Sequence, residues 1–335
     1  MIRVGILGAT GYTALELMKI LLRHAEVEIA ILTSRQEDNP HVAMVHPQLA
    51  GRLDLHLEKL DANSVATNVD CVFCCLPHAA SAAVVRTFVD AGVRVVDFSA
   101  DYRLDDAETY SEWYGGKHPD PERVGHVVYG LPEFFGESIP DAQLVANPGC
   151  FPTSAVLAVA PLLKLDLIES EGIIFDSKTG VSGAGRTPKL TTHYPECNES
   201  LAAYNVGMHR HTPEIDQILR RIVGREFEVV FTPHLVPMDR GILTTSYTNP
   251  KKEATEQELL SALREFYAEM PFVRVVDHLP ATKDTNDTNF CDITIRAVRG
   301  RIIVISCIDN LIKGASGAAV QNFNLMFGFP ETTAL

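Results

Sequence analysis

Apolar residues in this chain follow two rhythms, and the change from one to the other divides it near its middle. In the first half, short continuously apolar runs alternate with stretches of helical period. Residues 2–7, 27–32, 71–75 and 93–98 predict buried strands, while 12–22, with Leu15, Met18 and Leu22 on one face, and 79–90 predict helices. Unbroken apolar strands joined through helices are what a parallel sheet covered on both faces requires. Beyond residue 226 strand follows strand: 227–231, 234–238, 242–247, 272–276, 290–298 and 302–308, with one helix at 256–269 between them. Short connections of that kind predict a largely antiparallel sheet with helices on one face. Residues 110–132, rich in aromatic residues, Gly, His and Pro, predict a long loop, 171–176 a strand, and 178–186 a flexible small-residue loop. A closing helix has Ala315, Ala319, Phe323 and Met326 on its buried side.

The first strand runs directly into Gly8-Ala9-Thr10-Gly11-Tyr12 and a helix, with glycines at 5, 8 and 11. Strand, glycine turn and helix form a cradle for a pyrophosphate, because glycine lets the backbone come close and the helix start offers N–H groups. At the end of the second strand, where an acidic residue would hold ribose hydroxyls, stand Ser34 and Arg35. An arginine there suits a 2′-phosphate and favours NADP over NAD. Leu76-Pro77-His78 and Ser99 leave two further strands at their carboxyl ends, the side on which open α/β sheets bind ligands. Cys71, Cys74 and Cys75 lie in a continuous apolar run without a second ligand pair at zinc-like spacing, so no metal site is expected.

Residues 144–153, LVANPGCFPT, pass from a short strand through a tight turn into a helix, with Cys150 at the turn. A cysteine at a helix start meets unpaired N–H groups and the positive end of the helix dipole, which favour the nucleophilic thiolate. Such a cysteine is equally at home in a core, and the rest of the chain decides. His209 and His211 precede a helix start, with Thr212 as its N-cap and Pro213 at the first helical position. Histidine is the natural acid and base beside a catalytic thiol, and His209 stands ahead of His211, which abuts the cap. Activity is then expected to rise through an apparent pKa below the free-thiol value of about 8.5.

A length of 335 residues suits two domains, and a formal net charge of −14 argues against nucleic acid or an anionic membrane as partner. No apolar run is long enough to span a bilayer. The opening residues lack a signal-peptide pattern, and seven scattered cysteines suit a reducing compartment, so a cytoplasmic protein is expected.

Taken in order, these stretches resemble the N-acetyl-gamma-glutamyl-phosphate reductases, in their longer, type 1 form. The resemblance runs from residue 3 to about 328 and rests on GATGYT at 8–13, LPH at 76–78, FSADYRL at 98–104, YGLPE at 129–133, ANPGCFPT at 146–153, SGAGR at 182–186, HRHTPEI at 209–215, FTPHLVPM at 231–238 and IDNLIKGA at 308–315. Ala14, where that family usually has glycine, and Phe151, where tyrosine is frequent, depart from the pattern.

The resemblance implies a Rossmann-type dinucleotide-binding α/β domain, residues 1–149 plus 312–335, and an α+β catalytic and oligomerisation domain, residues 150–311. It implies that the Cys150 thiolate attacks the acyl phosphate of N-acetyl-glutamyl 5-phosphate and that NADPH reduces the resulting thioester to the semialdehyde. Cofactor contacts fall on Gly8, Ala9, Thr10, Gly11, Tyr12, Thr13, Ser34, Arg35, Leu76, Pro77, His78, Ser99, Ser182, Gly183, Asn310, Gly314 and Ala315. Substrate contacts fall on Asn147, Arg103, Arg186, Arg210 and Arg240, where a guanidinium suits phosphate or carboxylate. The expected assembly is a homodimer or homotetramer. The same chemistry on a carrier-bound aminoadipyl phosphate or on aspartyl phosphate, and a non-catalytic NADP-binding protein, are the alternatives.

Overall fold

The computed structural model describes residues 1–36 and 38–335, which divide into two compact units: Met1–Pro148 with Ala315–Leu335, and Gly149–Gly314. In the first unit seven strands form one sheet: β1 (Ile2–Leu7), β2 (Val27–Ser34), β3 (Leu57–Lys59), β4 (Cys71–Cys74), β5 (Arg94–Asp97), β6 (Val128–Tyr129) and β7 (Leu144–Ala146). They stand in the order β3-β2-β1-β4-β5-β7-β6 and pair in parallel throughout. The order reverses between β1 and β4, and crevices at such switch points are where sheets of this kind bind ligands.

β4 shows why its run is apolar without alternation. Val72 and Cys74 pack with Val85 and Phe88 in one cluster, while Phe73 meets Phe323 of the Gly317–Met326 helix at 5.5 Å. The closing helix thus belongs to the first unit, and Ser316 Oγ donates to the Thr13 carbonyl at 2.7 Å. Burial pushes the thiols of Cys71, Cys74 and Cys75 well above their usual range, so all three stay protonated.

The predicted loop at 110–132 is corrected at both ends. Ala107–Tyr114 is a helix because the Asp106 carboxylate caps it, accepting the Thr109 N–H at 2.7 Å, and Tyr110 stacks on Tyr114 beneath it. Val128 and Tyr129 join the sheet edge as β6.

One buried carboxylate here makes a stability prediction. Asp97 is fully buried beside Asp101, and desolvation followed by that neighbouring charge raises its pKa to about 6. A raised folded-state value means the native protein binds more protons than the unfolded chain between about pH 4 and 6, so this group's contribution is complete in acid and is lost as pH rises through 6. Asp97→Asn should therefore gain more in Tm relative to wild type at pH 7.5 than at pH 4.5. A gain independent of pH would refute the assignment.

The second unit holds a mixed sheet in the order β12-β13-β14-β11-β8-β10-β9. Its strands are β8 (Ile174–Gly180), β9 (Ala202–Ala203), β10 (Val230–Val236), β11 (Ile242–Thr248), β12 (Val273–Val275), β13 (Cys291–Val298) and β14 (Arg301–Ile308). The β8–β10 and β12–β13 pairs are parallel and the others antiparallel. The two strands predicted at 227–231 and 234–238 are one: Pro233 sits opposite Ser177 inside β10, and its carbonyl accepts the Tyr204 N–H at 3.1 Å. The loop predicted from 178 is likewise the end of β8 and a single 3-10 turn, Val181–Ala184. Gly180, Val181 and Ser182 donate their N–H groups to the carbonyls of Gly241, Met238 and Asp239.

The Cys150–Lys164 helix lies on this sheet, almost entirely buried. Its rotation is set by hydroxyls: Ser154 Oγ bonds Thr244 Oγ1 at 2.9 Å and Ser306 Oγ at 2.8 Å, and the Ser306 hydroxyl also reaches the Ser154 carbonyl. Polar groups buried in this way are satisfied only at one register, which orients the helix start.

Candidate active site

Cys150 is the first residue of its helix, with Gly149 as an extended N-cap that carries no side chain to cap the first turn. The Gly149 N–H donates instead to Oε1 of Glu214 at 2.8 Å, and the Gly149 carbonyl accepts both the N–H and the Oγ1 of Thr153 at 3.0 Å. Glu214 is fully buried in the first turn of the Thr212–Val223 helix. The helix dipole at the start of the Cys150 helix favours a thiolate.

Around the cysteine stands an aromatic wall. The His209 ring meets Phe151 at 5.5 Å, Tyr204 at 5.4 Å, Phe231 at 5.3 Å and His211 at 4.9 Å, in each case edge to face. Burial and the adjacent Cys150 push the Tyr204 phenol above its usual range, which keeps it protonated. Burial, then the charge of Arg210, lowers the His209 pKa to about 4. His209 Nδ1 accepts the backbone N–H of His211 at 3.1 Å, so the neutral ring carries its proton on Nε2. Surrendering that proton would create an imidazolate. The geometry thus suits hydrogen-bond donation from Nε2 better than the proton transfer expected from sequence. The N-cap of the following helix is His211 rather than Thr212, which puts Pro213 at its second position; the His211 N–H is the link that orients His209.

Other expected contacts turn inward. Ser182 Oγ donates to the Asp239 carbonyl at 2.6 Å and accepts from Asn310 Nδ2 at 3.0 Å, while Asn310 Oδ1 accepts the Gly241 N–H at 2.7 Å. Arg240 pairs with Asp287 and with the buried Asp309. Gly183, Arg186 and Arg210 are exposed. In the first unit, Arg103 Nε donates to the Asn147 carbonyl at 2.8 Å and Nη2 to that of Phe98 at 2.7 Å, and Asn147 Nδ2 donates to the Ala315 carbonyl at 3.0 Å. These groups brace strand ends. Gly314 and Ala315 fall in different units.

At the glycine turn, the N–H groups of Gly8 and Ala9 both donate to the Thr33 carbonyl, and buried His46 donates Nε2 to the Ala9 carbonyl at 2.8 Å. A pyrophosphate there is left the first N–H groups of the Tyr12–Leu21 helix, capped by Gly11 without a side chain. Gly8 is glycine for an internal reason: its φ is +77° and a Cβ would stand 2.6 Å from the Cys75 carbonyl oxygen. Gly11 has none, since a Cβ there meets nothing nearer than 3.9 Å. Space kept open before a helix start fits an anionic group approaching from outside. Nearby, Ser34 is buried, Arg35 is exposed, Ser99 Oγ bonds Asp97, and His78 Nδ1 accepts the Ala100 N–H at 3.0 Å.

Residues 3–142 match the semialdehyde dehydrogenase NAD binding domain and 150–310 the semialdehyde dehydrogenase dimerisation domain. Proteins named N-acetyl-gamma-glutamyl-phosphate reductase from Rhodopirellula baltica and Symbiobacterium thermophilum are 55% and 49% identical to the chain, aligning with all of it and with 98% and 97% of their own length. The chain belongs to the N-acetyl-gamma-glutamyl-phosphate reductase family. The fold is shared more widely. Aspartate semialdehyde dehydrogenase II from Vibrio cholerae superposes with a TM-score of 0.74 at 16% identity over 98% of each chain. The Candida albicans aspartate semialdehyde dehydrogenase with NADP does so at 0.68 and 16%, again over 98% of each.

Sequence reasoning passed over Tyr204, His46 and the role of Glu214 in this member of the reductase family. A glutamate in a first helical turn is ordinary, and the group it serves lies 65 residues away. Neither Tyr204 nor His46 lies in a stretch that signals chemistry.

Proposed function

We propose that this chain reduces N-acetyl-L-glutamyl 5-phosphate to N-acetyl-L-glutamate 5-semialdehyde and phosphate, with NADPH as reductant, in arginine biosynthesis. The observation that carries the reading is Cys150 at an uncapped helix start, with the neutral, Nε2-protonated ring of His209 packed at 5.5 Å on the adjacent Phe151. Cys150 Sγ attacks the acyl carbon, the bond to the phosphate oxygen breaks, and a thioester remains. NADPH would be held at the start of the Tyr12–Leu21 helix by Thr10, Gly11, Tyr12 and Thr13, with Ser34 and Arg35 at its 2′-phosphate, and would supply when bound the hydride that a thioester accepts and a carboxylate does not. His209 donates from Nε2 to the oxygen on which negative charge develops, and loss of the C–S bond returns the Cys150 thiolate. The exposed Arg186 and Arg210 hold the phosphate and carboxylate.

The reverse assay tests this directly: N-acetyl-glutamate semialdehyde, NADP and phosphate should yield NADPH only with all three present. Turnover confined to aspartate semialdehyde or to the carrier-bound aminoadipate semialdehyde would transfer the reading to that substrate.

We infer a homodimer or homotetramer located in the cytoplasm. The seven cysteines form no disulfide with one another, which suits a reducing compartment. No helix among the described residues is long and apolar enough to cross a membrane. β8, β11 and β14 alternate buried and half-exposed positions, and the buried set faces the Cys150–Lys164 helix. The other set presents Ile174, Leu243, Tyr247, Ile303 and Ile305 on one sheet face, with Asp176, Lys178 and Thr245 among them, a mixed surface with an apolar share suited to a second copy. Ile305→Arg should convert the oligomer to monomer in sedimentation at micromolar concentration; an unchanged oligomer would remove this face from the interface.

A further inference from the structure

We propose that Asp309 is a positioning residue for the nucleophile, acting through a π-turn that holds the backbone of Gly314 against Cys150. The inference rests on Cys150 being the nucleophile, and all the groups involved lie in the second unit.

β14 ends at Ile308, and the next residue turns inward without any exposure. Asp309 Oδ1 accepts the N–H groups of Leu311 at 2.8 Å and Ile312 at 3.0 Å, Oδ2 accepts the Asp287 N–H at 2.8 Å, and Arg240 Nε stands 3.5 Å from Oδ2. A carboxylate this buried is held by hydrogen bonds and charge together. Its own backbone carbonyl accepts the Gly314 N–H at 2.9 Å, five residues on, opening the π-helical turn Ile312–Ser316.

The width of that turn has a chemical consequence. In an α-turn the bond to the Asp309 carbonyl would come from Lys313; the extra residue gives that place to Gly314. A Cβ on Gly314 would lie 2.8 Å from the Cys150 Cβ and 3.3 Å from its Cα. The glycine backbone therefore fills one side of the space around the Cys150 side chain and restricts the directions its Sγ takes. Asn310, the next residue, ties the same corner to Ser182 and Gly241. The corner holding Ser182, Arg240 and Asn310, expected from sequence to touch ligands, thus serves as the mount of the thiol.

The test compares Gly314→Ala, Asp309→Asn and Asp309→Ala with wild type in the full chain. Two measurements are made: the rate of iodoacetamide alkylation at Cys150, followed by mass spectrometry across pH 5.5–9.5; and kcat and KM. Gly314→Ala should lower kcat at least tenfold with the KM for the acyl phosphate within about twofold, and should change the Cys150 alkylation profile by threefold or more in rate. Asp309→Asn, whose amide oxygen still accepts N–H groups, should retain several-fold more of both than Asp309→Ala. Should the Asp309 variants fail to fold, Gly314→Ala alone decides. A wild-type alkylation profile in Gly314→Ala overturns the proposal, whether or not kcat falls. Alkylation needs no substrate, so wild type inactive in the reverse assay would overturn the functional reading while leaving this comparison valid.

Discussion

Cys150→Ser is expected to lower kcat by about four orders of magnitude or more while leaving the NADPH Kd within about twofold. The substitution is close to isosteric, so the Gly149 N-cap and the approach of Gly314 survive it. What is lost is the thiolate: a serine hydroxyl at a helix start remains protonated at neutral pH and, without a base to take its proton, is a poor nucleophile. His209 cannot serve as that base, because its Nδ1 lone pair is engaged by the His211 N–H and its Nε2 already carries the proton. Mass spectrometry of enzyme mixed with acyl phosphate in the absence of NADPH should show an acyl adduct on Cys150 in wild type and none in the serine variant. Serine activity above about one percent would remove Cys150 from the reaction. Cys71, Cys74 and Cys75 offer no substitute, since burial holds their thiols protonated.

The parts of this molecule legible in sequence are those fixed by short-range chemistry. β1, the glycine turn and its helix, and the pass from β7 into the Cys150 helix each follow from apolar runs, glycine and proline within a dozen residues. What escaped depends on distant partners. Pro233 reads as a strand break, yet it sits inside β10 because the parallel neighbour and Tyr204 accept it there. Strand direction in the second sheet is likewise decided by partners: β8 and β10 are 50 residues apart in sequence and still pair in parallel. Arginines were legible as anion holders by type, but Arg103 and Arg240 meet carbonyls and carboxylates of their own chain. No local signal separates a guanidinium that braces a fold from one that grips a ligand.

The protonation of His209 is the clearest case of such a tertiary effect, and it makes the second large prediction. His209→Ala should lower kcat by about 10²–10³, the usual cost of one donor to a developing oxyanion. His209→Gln, which can place an amide N–H near the Nε2 position, should recover tenfold or more of that loss. A proton-transferring histidine gives the opposite pattern, because glutamine is as inert as alanine in that role. The pH dependence separates the two roles as well. A pKa held at about 4 by burial and Arg210, against about 6.5 in the unfolded chain, keeps the ring neutral throughout the range in which the enzyme is assayed. The sign for stability follows: a depressed folded-state value means the unfolded chain binds the extra proton between about pH 6.5 and 4, so the contribution of His209 is complete above 6.5 and is lost as pH falls toward 4. The acid limb of kcat/KM should then belong to the thiol and stand at the same pH in wild type and in His209→Gln. A limb that moves by a unit or more in the glutamine variant would return His209 to the role of base, and would mean that the His211 N–H releases Nδ1 when substrate binds.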